Sequence, residues 1–227
     1  MPAARTALLT GVTGGWGRAV LDRFVEQGWS VCVSYFGDPG DLPDGVLGVE
    51  TDLTDPDSAQ AAADACRKAF GSIEALACVA GGFAMAGPIQ DQPVDVWRKQ
   101  FALNLDTAYT VTRAVVGEMV EQERGSIVYV GSRAALRPFP GASGYIVSKA
   151  AVLALMQAVD AEVRGHGVRA NVVVPNVVDT PRNREENPDA DFSKWTTGGE
   201  LGRVIEWLCG DDSAPLSGGV IPAYGRS

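Results

Sequence analysis

The segment Thr10-Gly11-Val12-Thr13-Gly14-Gly15-Trp16-Gly17 restricts the fold more than any other part of the chain. An apolar run, Ala7-Leu8-Leu9, leads into it, and an amphipathic run from Ala19 to Gln27 follows. The glycines therefore sit where a strand hands over to a helix. Glycine permits the sharp turn such a junction needs and lets a ligand approach the backbone. The helix start then offers free N–H groups and the positive end of the helix dipole. Dinucleotide phosphates bind at turns of this kind. An ordinary tight strand–helix turn is the other reading of the glycines taken alone.

The rest of the chain repeats the hand-over. Strand-like apolar segments lie near 6–10, 30–35, 46–50, 74–79, 126–130, 168–174 and 218–222. Helical segments lie near 16–27, 57–70, 94–122, 144–164 and 200–209. Asp55-Pro56 marks the second helix start, with a capping carboxylate and then proline at the first helical position. The alternation predicts an α/β, Rossmann-type fold: a doubly wound parallel sheet of about seven strands with helices on both faces. With 227 residues and no linker, repeat or charge block, the chain reads as a single domain over 1–227. Ligands bind such sheets at the carboxyl ends of the strands. The glycine turn, Ala80-Gly81, Gly131-Ser132 and Pro175 to Thr180 all follow strands at that edge.

Tyr145 and Lys149 are four residues apart in a predicted helix, and Ser132 lies thirteen positions before Tyr145. Helical spacing puts the phenol and the ammonium on one face. A phenol has a pKa of about 10 and needs its phenolate stabilised to act near neutral pH. A cation one turn away does that.

These segments resemble the short-chain dehydrogenase/reductase family. Its glycine pattern is matched by Thr10, Gly11, Gly15 and Gly17, and its Ser plus Tyr-x-x-x-Lys pattern by Ser132, Tyr145 and Lys149. The family's helical asparagine is matched by Asn104. The resemblance implies a hydride transfer between a nicotinamide and a carbonyl or alcohol, with Tyr145 as acid or base. Ser132 would orient the substrate oxygen. Lys149 would hold the nicotinamide ribose and stabilise the phenolate, and Asn104 would hold a water on the proton path. It implies cofactor contacts from Gly11, Thr13, Gly14, Gly15, Trp16 and Gly17, and from Tyr35 and Phe36 at the second strand end. Asp52 and Leu53 would meet the adenine, Ala80 and Gly81 the ribose, and Pro175, Val178 and Thr180 the nicotinamide. Asp52 also reads as a simple turn carboxylate.

The chain departs from the family pattern in places. Cys78-Val79 stand where two asparagines are usual, and Asn176 replaces a glycine. The usual acid at the second strand end is missing, since Tyr35 and Phe36 occupy the position. Asp38 lies slightly too far along, and Arg18 is expected to point outward from its helix. NAD(H) and NADP(H) both remain open, and the missing acid tips the expectation toward NADP(H). Residues 181–199 fall where family members carry a substrate lid, and their pattern is similar to the dihydropteridine-reductase branch. The substrate is thus a carbonyl or alcohol, or a quinonoid pterin. Arg133, Arg137, Phe139 and Trp195 are either pocket wall or solvent-exposed loop. The resemblance also implies a homodimer or homotetramer through helices near 94–122 and 144–164. A non-catalytic NAD(P) sensor is the alternative. A lyase relative working without nicotinamide would lack the glycine turn.

Composition narrows the partners. A net charge of −9 argues against nucleic acid and anionic membrane surfaces. No apolar run approaches a membrane span, and the first residues lack a signal-peptide core. Cys32, Cys66, Cys78 and Cys209 have no metal-ligand spacing and read as buried thiols in a reducing cytoplasm. The single histidine, His166, reads as a loop residue, so no metal site and no Ser-His-Asp triad is expected.

Overall fold

The computed structural model describes residues 5–226. Seven parallel strands form one sheet: β1 (Thr6–Thr10), β2 (Ser30–Tyr35), β3 (Leu47–Glu50), β4 (Ala75–Cys78), β5 (Gly125–Val130), β6 (Val168–Pro175) and β9 (Val220–Ala223). Their order is β3-β2-β1-β4-β5-β6-β9, so the winding reverses between β1 and β4. That reversal opens a crevice at the carboxyl ends of the two strands.

Side chains of β1 alternate between two cores, as a period of two dictates. Leu8 joins the cluster formed with α2 (Pro56–Phe70), α4 (Thr107–Glu121) and α6 (Ser143–Val163). Ala7 and Leu9 join the cluster formed with α1 (Gly17–Glu26) and α8 (Gly198–Cys209). β1, β4 and β5 are buried along their whole length, which explains why they read as unbroken apolar runs. The expected Asp55 cap is present, accepting from Asp57 N and Ser58 N at 3.3 Å each. All four cysteines are buried free thiols, and His166 is exposed after α6.

One expected element is corrected. The helix near 94–122 is not continuous: α3 (Val94–Phe101) runs into a π-helical turn at Ala102–Asp106 before α4 begins. Asn104 lies in this turn, with its carboxamide bonded outside the helix. Three smaller features escaped the hydrophobic pattern: α5 (Arg133–Leu136), α7 (Pro181–Glu186), and a parallel pairing of β7 (Val178–Asp179) with β8 (Thr196–Thr197). They have too few apolar residues to show a period. The β7–β8 pair closes the base of the 181–199 segment. No helix of the described residues is long and apolar enough to cross a membrane.

Candidate active site

Thr10 and the glycines fix the turn at the switch point. The Thr10 hydroxyl accepts the N–H groups of Val79 and Ala80, each at 3.1 Å, locking the end of β4 to the end of β1. Gly11 has φ +71°, and a side chain there would strike the Ala80 backbone. A side chain at Gly17 would strike the Gly11 carbonyl. No side chain caps α1, and its first turn holds no acid. No side chain of its own thus competes with an anion at its amino end.

A cleft of about 490 Å³ opens over this turn. Gly11, Thr13, Gly14, Gly15, Trp16, Gly17, Tyr35, Phe36, Asp52, Leu53, Ala80 and Gly81 line it, as expected. So do Val79, which stands at one of the two asparagine positions, and Ser34, Thr51, Thr54, Leu103 and Thr107, to which no role was assigned. Leu103 lies in the π-helical turn and Thr107 directly follows it, a signal that only the broken helix supplies. Asp52 is the only ionised side chain in the lining, and hydrogen bonds from Thr54 hold its carboxyl below the usual range. Tyr145, Lys149, Pro175, Val178 and Thr180 lie outside this lining. Thr180 still adjoins it, since a side chain at Gly15 would meet the Thr180 methyl at 3.5 Å. The Thr180 hydroxyl caps α7 by accepting Asn183 N at 3.2 Å. Val178 is buried and paired with Thr196.

Ser132, Tyr145, Lys149 and Asn104 come together beside the cleft. Ser132 caps α5, accepting Ala134 N at 3.2 Å, and its hydroxyl hydrogen-bonds the Tyr145 phenol. Lys149 is buried and donates to the Val130 carbonyl at 2.8 Å. Asn104 accepts Gly82 N at 2.9 Å and donates to Gly82 O and Ser148 Oγ at 3.0 Å each. A side chain at Gly81 would meet Asn104 Oδ1 at 2.7 Å and Lys149 Nζ at 3.1 Å. One glycine thus separates the cleft from two of the four polar groups.

The sequence profile of the short chain dehydrogenase family matches residues 5–191. The chain belongs to the short-chain dehydrogenase family. It is 30% identical over 240 residues to the 2-(R)-hydroxypropyl-CoM dehydrogenase of Xanthobacter autotrophicus, with 96% of each chain covered. A short-chain type dehydrogenase/reductase from Mycobacterium ulcerans superposes with a TM-score of 0.91 at 26% identity, covering 98% of this chain and 89% of that one. The aldohexose dehydrogenase of Thermoplasma acidophilum superposes with a TM-score of 0.89, also at 26% identity, covering 98% and 93%. This short-chain dehydrogenase is an NAD(P)-dependent oxidoreductase acting on CH–OH and C=O groups.

The geometry adds detail at two of the expected positions. Burial dominates the Tyr145 phenol and pushes its pKa up, with the Ser132 hydrogen bond opposing. The Lys149 ammonium is held by Val130 O, and burial pushes it down to about 8. Arg18 points outward from α1, as expected, and its side chain is half-exposed. Its guanidinium bonds Asp22 at 2.7 Å and reaches the Asp41 carbonyl at 2.6 Å, on the loop after β2. Cys78, where the family usually has asparagine, is buried with its thiol pushed up to about 12, chiefly by burial.

The 181–199 segment is braced across its width. Arg184 makes a two-pronged contact with Asp179, at 2.6 and 2.8 Å. The Arg184 guanidinium lies 4.8 Å from the Phe192 ring centre, and Phe192 packs on Trp195 at 4.9 Å. Its foot is tied to the last strand by Thr196 Oγ1 donating to Ala223 O at 3.0 Å.

Proposed function

We propose that this short-chain dehydrogenase reduces a carbonyl, or oxidises the matching alcohol, with Tyr145 as the proton donor or acceptor. The observation that carries the reading is the meeting of Ser132, Tyr145, Lys149 and Asn104 beside an uncapped glycine turn. The residues present fit a dinucleotide. Gly11, Gly17 and Gly81 let the turn and the neighbouring strand end pack where any side chain would strike a neighbour, and α1 offers its amino end to a pyrophosphate. Gly11, Thr13 to Gly17, Tyr35, Phe36, Asp52, Leu53, Ala80 and Gly81 would hold the cofactor along the cleft. Pro175, Val178 and Thr180 would meet its nicotinamide end. When bound, the nicotinamide supplies or accepts the hydride.

The side chains do the rest. Ser132 orients the substrate oxygen through a hydrogen bond. Tyr145 places its proton on that oxygen in reduction and removes it in oxidation. A phenol pushed up by burial is protonated at neutral pH, which suits reduction. Oxidation requires the phenolate, and Lys149 is the nearest cation on the same helix to stabilise it. Asn104 Oδ1 has capacity for one more donor beyond Gly82, which fits a water on the proton path.

NADP(H) is the preferred cofactor in this reading. No carboxylate stands at the Tyr35–Phe36 strand end to bind ribose hydroxyls or repel a phosphate. Arg18 is the cation that reaches the adjoining loop. Residues 181–199 act as the substrate lid. The apolar character of α6 on all sides, with exposed Val147, and the exposed Tyr109 of α4 support a homodimer or homotetramer through these helices. The four free thiols suit a reducing cytoplasm.

Separate titrations with NADPH and NADH, followed by nucleotide fluorescence, test the reading. Tighter NADPH binding is expected. Tighter NADH binding would overturn the cofactor preference, and no binding of either would overturn the function.

A further inference from the structure

The loop after β4, Gly82-Phe83-Ala84-Met85-Ala86-Gly87-Pro88, carries no charged or hydrogen-bonding side chain. It nevertheless stands over the proposed reacting group. The Phe83 ring meets the Tyr145 ring edge-on, with centroids 4.9 Å apart and planes at 90°. Ala86 N donates to Gly141 O at 2.8 Å, so this loop is fastened to the loop between α5 and α6. Met85 reaches the same place, since a side chain at Gly141 would meet its terminal methyl at 3.1 Å. Phe139 lies two residues before Gly141. Phe83, Met85 and Phe139 stay 40%, 63% and 41% exposed. Large apolar side chains grouped in the open mark a contact surface.

Resting on the reading of Tyr145 as the proton donor, we infer that the substrate is an apolar carbonyl compound, its alkyl or aryl substituent seated on Phe83, Met85 and Phe139. The contact of Phe83 with the Tyr145 ring sets the occupant. Any molecule whose oxygen reaches the phenol must lay its neighbouring atoms against Phe83. Hydroxyl groups laid there would lose water and gain no partner. Ser143, at the start of α6 beside this loop, spends its proton on Gln92 Oε1 at 2.7 Å. A sugar or polyol is therefore disfavoured on this wall, whereas each added methylene is favoured.

The test is a ladder of straight-chain aldehydes from propanal to octanal, with glucose and xylose alongside, using NADPH and NADH. The expected result is a two- to fourfold rise in kcat/KM per methylene. Sugars should be slower than hexanal by at least a hundredfold. Phe83→Ala and, separately, Met85→Ala should flatten the ladder. Binding of non-reducible n-alkyl amides, read by calorimetry, should follow the same steps in the parent and lose them in the variants. A flat ladder, or a sugar preferred in a reaction that Tyr145→Phe abolishes, would overturn the apolar-substrate inference while leaving the function intact. Aldehyde reduction that survives Tyr145→Phe would instead overturn the reading on which it rests.

Discussion

Lys149 Nζ donates to the Val130 carbonyl at 2.8 Å, so the buried ammonium is anchored to the end of β5 rather than to the phenol one helical turn before it. Residue spacing alone pairs Lys149 with Tyr145. The strand end intervenes because Lys149 faces the sheet, and Val130 is the last residue of the strand that β6 and β4 flank. The lysine is thereby positioned as a fixed charge beside the cleft.

That burial has a pH signature. The Lys149 ammonium titrates near 8 when folded and near 10.4 when unfolded. Between these values the unfolded chain binds more protons, so this group makes stability rise with pH across the window. Below pH 8 its burial penalty is fully present. Thermal unfolding of the parent and of Lys149→Met at pH 7 and pH 10 measures it. The parent should gain on the variant as pH rises, by about 1–3 kcal/mol.

The phenol should respond to the cofactor. Ultraviolet difference titration of the free protein against Tyr145→Phe should place the Tyr145 phenol above its usual value of about 10, because burial outweighs the Ser132 hydrogen bond. Oxidised cofactor carries positive charge on its nicotinamide and should bring the value down. In steady state, alcohol oxidation should rise with pH and carbonyl reduction should stay level from about pH 6 to 8.

Gly81 should be intolerant of any side chain. A methyl there meets Asn104 Oδ1 at 2.7 Å and Lys149 Nζ at 3.1 Å. Gly81→Ala should displace both groups, lowering kcat/KM at least tenfold and stability by about 1–3 kcal/mol. Steady-state kinetics and denaturant unfolding on the same preparation separate the two losses.

Much of this was legible in the sequence. The seven strands alternate apolar side chains between two cores, and both glycine and Tyr-x-x-x-Lys segments fall at the carboxyl edge that the fold provides. The π-helical turn was not legible, because 94–122 carries an unbroken helical pattern. The competing force is a three-bond clamp from Asn104 to Gly82 and Ser148, groups 22 and 44 residues away. The reach of Arg18 to Asp41 was hidden for the same reason: its partner is a loop carbonyl, which no side-chain pattern reveals.

The clamp can be tested directly. Asn104→Leu removes both bonds to Gly82 and leaves a backbone donor and acceptor without partners. Stability should fall by about 1–3 kcal/mol. Hydrogen exchange at the Gly82 amide should rise well above that of the β4 amides.

Tyr145→Phe tests the central claim most directly. The variant keeps the ring that Phe83 packs against and removes only the hydroxyl. Reduction of the best aldehyde of the series should fall by about a hundredfold or more, with nucleotide affinity within a few-fold of the parent. Retention of more than a tenth of the parent rate would contradict the assignment of Tyr145 as the proton donor.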